Sequence, residues 1–129
     1  MSRSGAIRWF GGAVLVLATT GALQALAADP PAKGNAAAAK PIFTSKCIAC
    51  HKADGTGGVK LTGNPTPNWK DPKTWADPKR KDVDAYLRDC ITNGKTKSGM
   101  VAWVKSGTLK PQDAENLIAY IKTFKAAAK

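Results

Sequence analysis

The chain has 129 residues and a formal net charge of +11, from 20 Lys+Arg against 9 Asp+Glu, with one histidine and three cysteines. That length allows one small domain with a modest core. The basic balance comes without a nucleic-acid-binding motif, so nucleic acid is not the expected partner.

The N-terminus opens with Arg3 and Arg8, continues through an apolar stretch from Trp9 to Thr20, and reaches Ala25-Leu26-Ala27. A basic start, an apolar core and a small-x-small site describe a secretory signal peptide over residues 1–27, cut after Ala27. No twin-arginine pair is present, so a Sec-type route to the periplasm is expected. The competing reading is an uncleaved anchor, because Trp9–Ala28 approaches the roughly 20 residues of a membrane span. No other stretch is apolar enough, so the mature protein is expected to have no membrane span.

Loss of Arg3 and Arg8 with the leader leaves 18 Lys+Arg against 9 Asp+Glu, all Lys but Arg80 and Arg88. Lysine is a mobile, hydrated point charge. A surface rich in it suits loose, charge-steered docking on acidic protein partners. The plainer reading is a solvated face that aids solubility.

Residues 28–39 read as a flexible leader and residues 40–129 as the folded domain. The first helix is expected near Lys40, with Pro41 at its first position, where a missing N–H costs nothing. It leads into Cys47-Ile48-Ala49-Cys50-His51. Cysteines at i and i+3 project from one side of a helical turn. They can add to the two vinyl groups along one porphyrin edge, with His51 placed to reach the iron. The spacing is that of covalent haem c attachment through Cys47 and Cys50, with His51 as an axial ligand. Zinc and dithiol chemistry are the alternatives. Zinc would have to borrow a carboxylate, and no strand precedes the motif as a thioredoxin-like dithiol requires.

Asp54-Gly55-Thr56-Gly57-Gly58 is loop. Pro65, Pro67, Pro72 and Pro78 exclude long elements between Lys60 and Lys81, apart from a helical turn opening at Asp71-Pro72 and carrying Trp75. Val83, Tyr86, Leu87, Cys90 and Ile91 recur at helical spacing, with Asp82 as N-cap and Gly94 as stop. The last helix begins at Pro111, with Ala114, Leu117, Ile118, Ile121 and Phe124 as its stripe. Lys122 and Lys125 suit its negative end. No segment reads as a strand. The fold class is all-α, three principal helices with short turns around the haem. Cys90 lies on the apolar stripe, which predicts a buried thiol rather than an intermolecular disulfide, and hence a monomer.

Outside the leader the one methionine is Met100, in the irregular stretch from Asn93 to Leu109. A methionine after glycine in a loop, with no second histidine in the chain, points to thioether ligation of the iron. A lysine ligand and an open sixth position are the alternatives. His/Met ligation keeps iron six-coordinate, which suits a carrier rather than an enzyme.

These residues resemble a class I c-type cytochrome, the bacterial periplasmic monohaem kind, over about residues 40–125. The resemblance rests on Phe43 before Cys47-Ile48-Ala49-Cys50-His51, on Asn93-Gly94-Lys95 followed by Gly99-Met100, and on Leu117-Ile118-Ala119-Tyr120-Ile121. It implies a contact between Phe43 and the Leu117/Tyr120 region. It also implies a backbone carbonyl, from Gly63 or Pro65, accepting from the second nitrogen of His51. Pro65, Trp69, Trp75 and Trp103 are expected to touch the haem, with Trp69 or Trp75 donating its indole N–H to a propionate or simply covering haem edge. Two departures stand out. Val101 replaces the proline that often follows the methionine, which loosens that loop. Ala39 stands where many members have glycine, which pushes the first and last helices apart or moves their crossing.

The resemblance implies a one-electron carrier between periplasmic redox partners. A second reading is the cytochrome subunit of a periplasmic dehydrogenase or oxidase complex. A third is a haem sensor or enzyme with an open sixth site.

Overall fold

The computed structural model describes residues 31–127. The expected signal peptide, residues 1–27, lies outside the described residues. Five α-helices are present: α1 (Ala36–Lys46), α2 (Ile48–His51), α3 (Pro72–Trp75), α4 (Val83–Asn93) and α5 (Pro111–Ala126). Two 3₁₀ turns, Pro78–Arg80 and Thr96–Ser98, flank α4. Among the described residues there is no strand, only an isolated antiparallel bridge between Lys95 and Met100. The chain is all-α, as its periodicities predict.

Each helix start has a chemical cause. Asp71 accepts from Lys73 N and opens α3, with Pro72 in its first turn. Asp82 accepts from Ala85 N at 2.9 Å and opens α4. Pro111 opens α5, and the Asp113 carboxylate accepts from Lys110 N at 2.8 Å, satisfying a donor the helix itself cannot.

The first helix corrects the sequence reading. It begins at Ala36 rather than near Lys40, and Pro41 sits inside it. The missing Pro41 N–H falls in the second turn, where it removes the helix bond to Ala37 O and is a local cost that the packing of α1 offsets. The cap is Asn35, whose side chain accepts from Ala37 N at 3.0 Å. The four alanines after it have the highest helix propensity of any residue and need no other support. The described end of the expected leader is also fixed. The Gln112 side chain accepts from Ala32 N at 2.6 Å and donates to Ala32 O at 3.0 Å. Asn35 N donates to Asn116 Oδ1 at 2.8 Å.

The core forms where α5 packs on α1 and on α4. Phe43 and Leu117 are fully enclosed between them, and Ala39, Trp69, Leu87, Ile91, Leu109, Ala114, Ile118, Ile121 and Phe124 complete the cluster. Phe43 stands 5.0 Å from Tyr120 and 5.6 Å from Phe124 between ring centroids, the contact the resemblance implies. Ala39 is wholly buried in the core. The tight approach sits instead at Gly34, where a Cβ would fall 2.0 Å from Glu115 O. On the outside, Arg88 Nη2 donates to Glu115 Oε2 at 2.9 Å and Lys122 Nζ to Asp84 Oδ1 at 2.8 Å, tying α4 to α5. Exposed pairs of this kind each contribute at most about 1 kcal/mol, so the apolar contact carries the packing.

Candidate functional site

Cys47 forms the joint between α1 and α2. Its own N–H donates to Phe43 O at 2.9 Å, and its carbonyl accepts from Cys50 N at 3.2 Å and His51 N at 2.9 Å. The turn therefore closes on itself, and both thiols and the imidazole face the same cleft. Lys52, with φ 58°, ends it. The glycine-rich loop then folds back over the motif. Gly57 N donates to His51 O at 3.1 Å, and Thr66 Oγ1 donates to Cys50 O at 2.8 Å while accepting from Val59 N at 3.0 Å.

The second wall is held as firmly. Lys95 N donates to Met100 O at 3.0 Å and Met100 N to Lys95 O at 3.1 Å. Trp103 N donates to Ile91 O at 3.0 Å, fastening the following residues to the end of α4. The loop around Met100 is thus not loosened by Val101, whose side chain is about half exposed and whose neighbours carry the constraint. Gly94 makes the turn possible: its φ is +71°, and a Cβ there would meet Met100 O at 2.6 Å.

Between these walls lies a cleft of about 850 Å³, within the ~300–1,000 Å³ of small-molecule and cofactor sites. Cys47, Cys50, His51 and Met100 all line it, as do Pro65, Trp69 and Trp103. Trp75 does not. Its indole N–H donates to Trp69 O at 2.7 Å, so it braces Trp69 from behind and has no donor left for a propionate. Trp69 is buried, stacks on His51 at 4.5 Å with 12° between planes, and stacks on Phe124 at 5.9 Å.

Burial lowers the His51 pKa from 6.5 to about 4, so the imidazole is neutral at pH 7. Its Nδ1 is buried and has no hydrogen-bond partner. Neither Gly63 nor Pro65 supplies the expected carbonyl. A buried polar atom left without a partner costs about 1–3 kcal/mol and calls for a physical reason. Burial also pushes the Cys47 thiol up to about 11, against a lowering pull from Lys46. Two thiols, a neutral imidazole and a thioether on one largely apolar cleft are the donor set that holds a covalent haem. The residues present fit that group. Among the described residues no three His, Cys, Asp or Glu side chains gather as a metal site, so the zinc reading finds no further ligands there. No helix of the described residues is long and apolar enough to cross a membrane.

Sequence reasoning missed Thr66, Arg80, Tyr86 and Lys95. Thr66 leaves a trace, a hydroxyl residue between two prolines, but its partner lies 16 residues away. Arg80, Tyr86 and Lys95 also line the cleft, and only the folded chain brings them together.

A family model described as Cytochrome C oxidase, cbb3-type, subunit III matches residues 34–121. No solved structure matches the chain.

Proposed function

The chain belongs to the family of cytochrome c oxidase, cbb3-type, subunit III, a c-type cytochrome domain with covalently bound haem c, and from that premise we propose that it is a monohaem one-electron carrier of the periplasm. In this reading Cys47 and Cys50 would hold the haem through thioethers, and His51 and Met100 would ligate its iron. Residues 1–27 direct export by the Sec-type route and are removed, and the cytochrome domain that follows includes α1 from its start at Ala36. The bound haem supplies reversible Fe(III)/Fe(II) chemistry.

The observation that carries the reading is the pairing on one cleft of a buried neutral histidine without a protein partner and a methionine fixed by two backbone bonds. A ligand from each wall would leave the iron no open position for substrate, which favours electron transfer over catalysis. Leu61 and Val101, the exposed large apolar side chains among the described residues, both border the cleft and give a partner an apolar contact beside it. The lysine-rich surface steers acidic redox proteins towards that face.

Optical spectra of the matured protein test this, ferric and ferrous, with and without carbon monoxide. The expected result is the weak long-wavelength band of a thioether–ferric bond, lost in Met100→Ala, with carbon monoxide binding only the variant. Carbon monoxide uptake by the wild type would overturn the carrier reading in favour of an open site.

The family description itself favours a second reading, a cytochrome subunit of an oxidase complex. Stoichiometric co-purification with a large catalytic subunit distinguishes it from a free monomeric carrier.

A further inference from the structure

Four cationic side chains line the cleft, and they are not equivalent. Lys46 and Lys97 are exposed; Arg80 and Lys95 are half-buried. Arg80 Cζ stands 4.7 Å from the Tyr86 ring centroid, and Lys95 Nζ stands 5.4 Å from the same centroid. One aromatic ring thus carries both charges. Each side chain has further contacts that favour this position. Arg80 Nη1 donates to Thr74 O at 3.0 Å, and its Nε lies 3.4 Å from Asp77. Lys95 Nζ donates to Asp89 Oδ2 at 2.7 Å. Arg80 Nη2 takes no part in either of its contacts, and a guanidinium presents its donors in a planar fork suited to carboxylates.

An otherwise largely apolar cleft with two half-buried cations in one corner suits a ligand with an apolar body and an anionic end. We propose that Arg80 and Lys95, held against Tyr86, form a carboxylate-binding corner that takes the two propionates of the haem. This rests on the haem occupying the cleft as proposed above. It replaces the expected indole donor: Trp75 is committed to Trp69 O, whereas two cations match two carboxylates. The charged and titratable groups gathered at the corner are Arg80, Asp77, Tyr86, Asp89, Cys90 and Lys95, while Lys46 and Lys97 line the same cleft. The carboxylates of Asp77 and Asp89 orient the cations and moderate their charge.

The test is a carbon-13 titration of the matured holoprotein, with the haem propionate carboxyl carbons labelled biosynthetically. In the wild type at least one propionate should titrate below the ordinary carboxylate range. Arg80→Gln and Lys95→Gln should each raise a propionate midpoint by about one pH unit, the usual effect of one close opposite charge. Arg80→Lys keeps the charge and should restore most of the shift, which separates loss of the cation from loss of the local fold. Midpoints that coincide in the wild type, Arg80→Gln and Lys95→Gln overturn the corner. The ferric thioether band is recorded on the same samples. Its persistence in Met100→Ala would show instead that the haem is not seated between His51 and Met100, and the corner falls with that seat.

Discussion

Lys95 and Met100 exchange both of their backbone hydrogen bonds, at 3.0 and 3.1 Å, across a turn that Gly94 leads into from α4. The methionine is therefore positioned by main-chain atoms and not by the identity of the residue after it. Gly94→Ala should break this arrangement, because alanine disfavours φ +71° and its Cβ would meet Met100 O at 2.6 Å. The expected cost is about 2 kcal/mol, read by denaturant unfolding, together with loss of intensity in the ferric thioether band. An unchanged band would mean that the bridge is not what holds Met100.

Phe43 joins the helix that carries the cysteines to the helix that closes the fold. It is fully enclosed and stands against Trp69, Tyr120 and Phe124. Phe43→Ala should cost about 3–5 kcal/mol through lost transfer energy and a cavity. A shift of the denaturation midpoint measures this. Phe43→Leu should lose less, since it keeps most of the volume.

Stability should depend on pH through His51. Burial places its folded pKa at about 4, against 6.5 for the ordinary side chain. Between those values the unfolded chain binds a proton that the folded chain does not, so stability rises with pH across the window and is lost as pH falls from about 6.5 to about 4. The full effect is on the order of 3 kcal/mol, and coordination by haem iron acts in the same direction. Urea midpoints measured from pH 7 down to pH 4 should fall steadily. A flat series would argue that the imidazole is already solvated in the native state.

Cys90 is buried, and burial raises its thiol pKa. Both features make it a poor nucleophile and a poor partner for oxidation. Cys90→Ala should leave the reduction potential and the monomeric state unchanged and cost about 1–2 kcal/mol in packing. A reducible dimer of the wild type that disappears in the variant would contradict this.

The parts of the fold visible in the sequence are those that local chemistry decides. The caps at Asp71 and Asp82, the start at Pro111 and the apolar stripes of α4 and α5 each depend on residues a few positions apart. The spacing of Cys47, Cys50 and His51 is legible for the same reason. What escaped reading depends on distant partners. Asn35 opens α1 from within a stretch of small residues that looks loose until Asn116 receives its N–H, 81 positions away. Trp75 reads as a cofactor contact until Trp69 O accepts its proton. Arg80 and Lys95 read as two more surface cations until Tyr86 stands between them.

The clasp between the residues before α1 and the first turns of α5 has a consequence for the order of events in folding. Ala32 waits for Gln112 and Phe43 waits for Tyr120, so the first helix lacks its main partner, α5, until nearly the whole chain has been delivered. Contacts of such long sequence separation form late and slowly. A chain emerging N-terminus first therefore presents Cys47 and Cys50 well before α5 arrives to complete the core around them. During that interval both thiols remain open to whatever machinery attaches the cofactor, and the last helix acts as the latch that ends it.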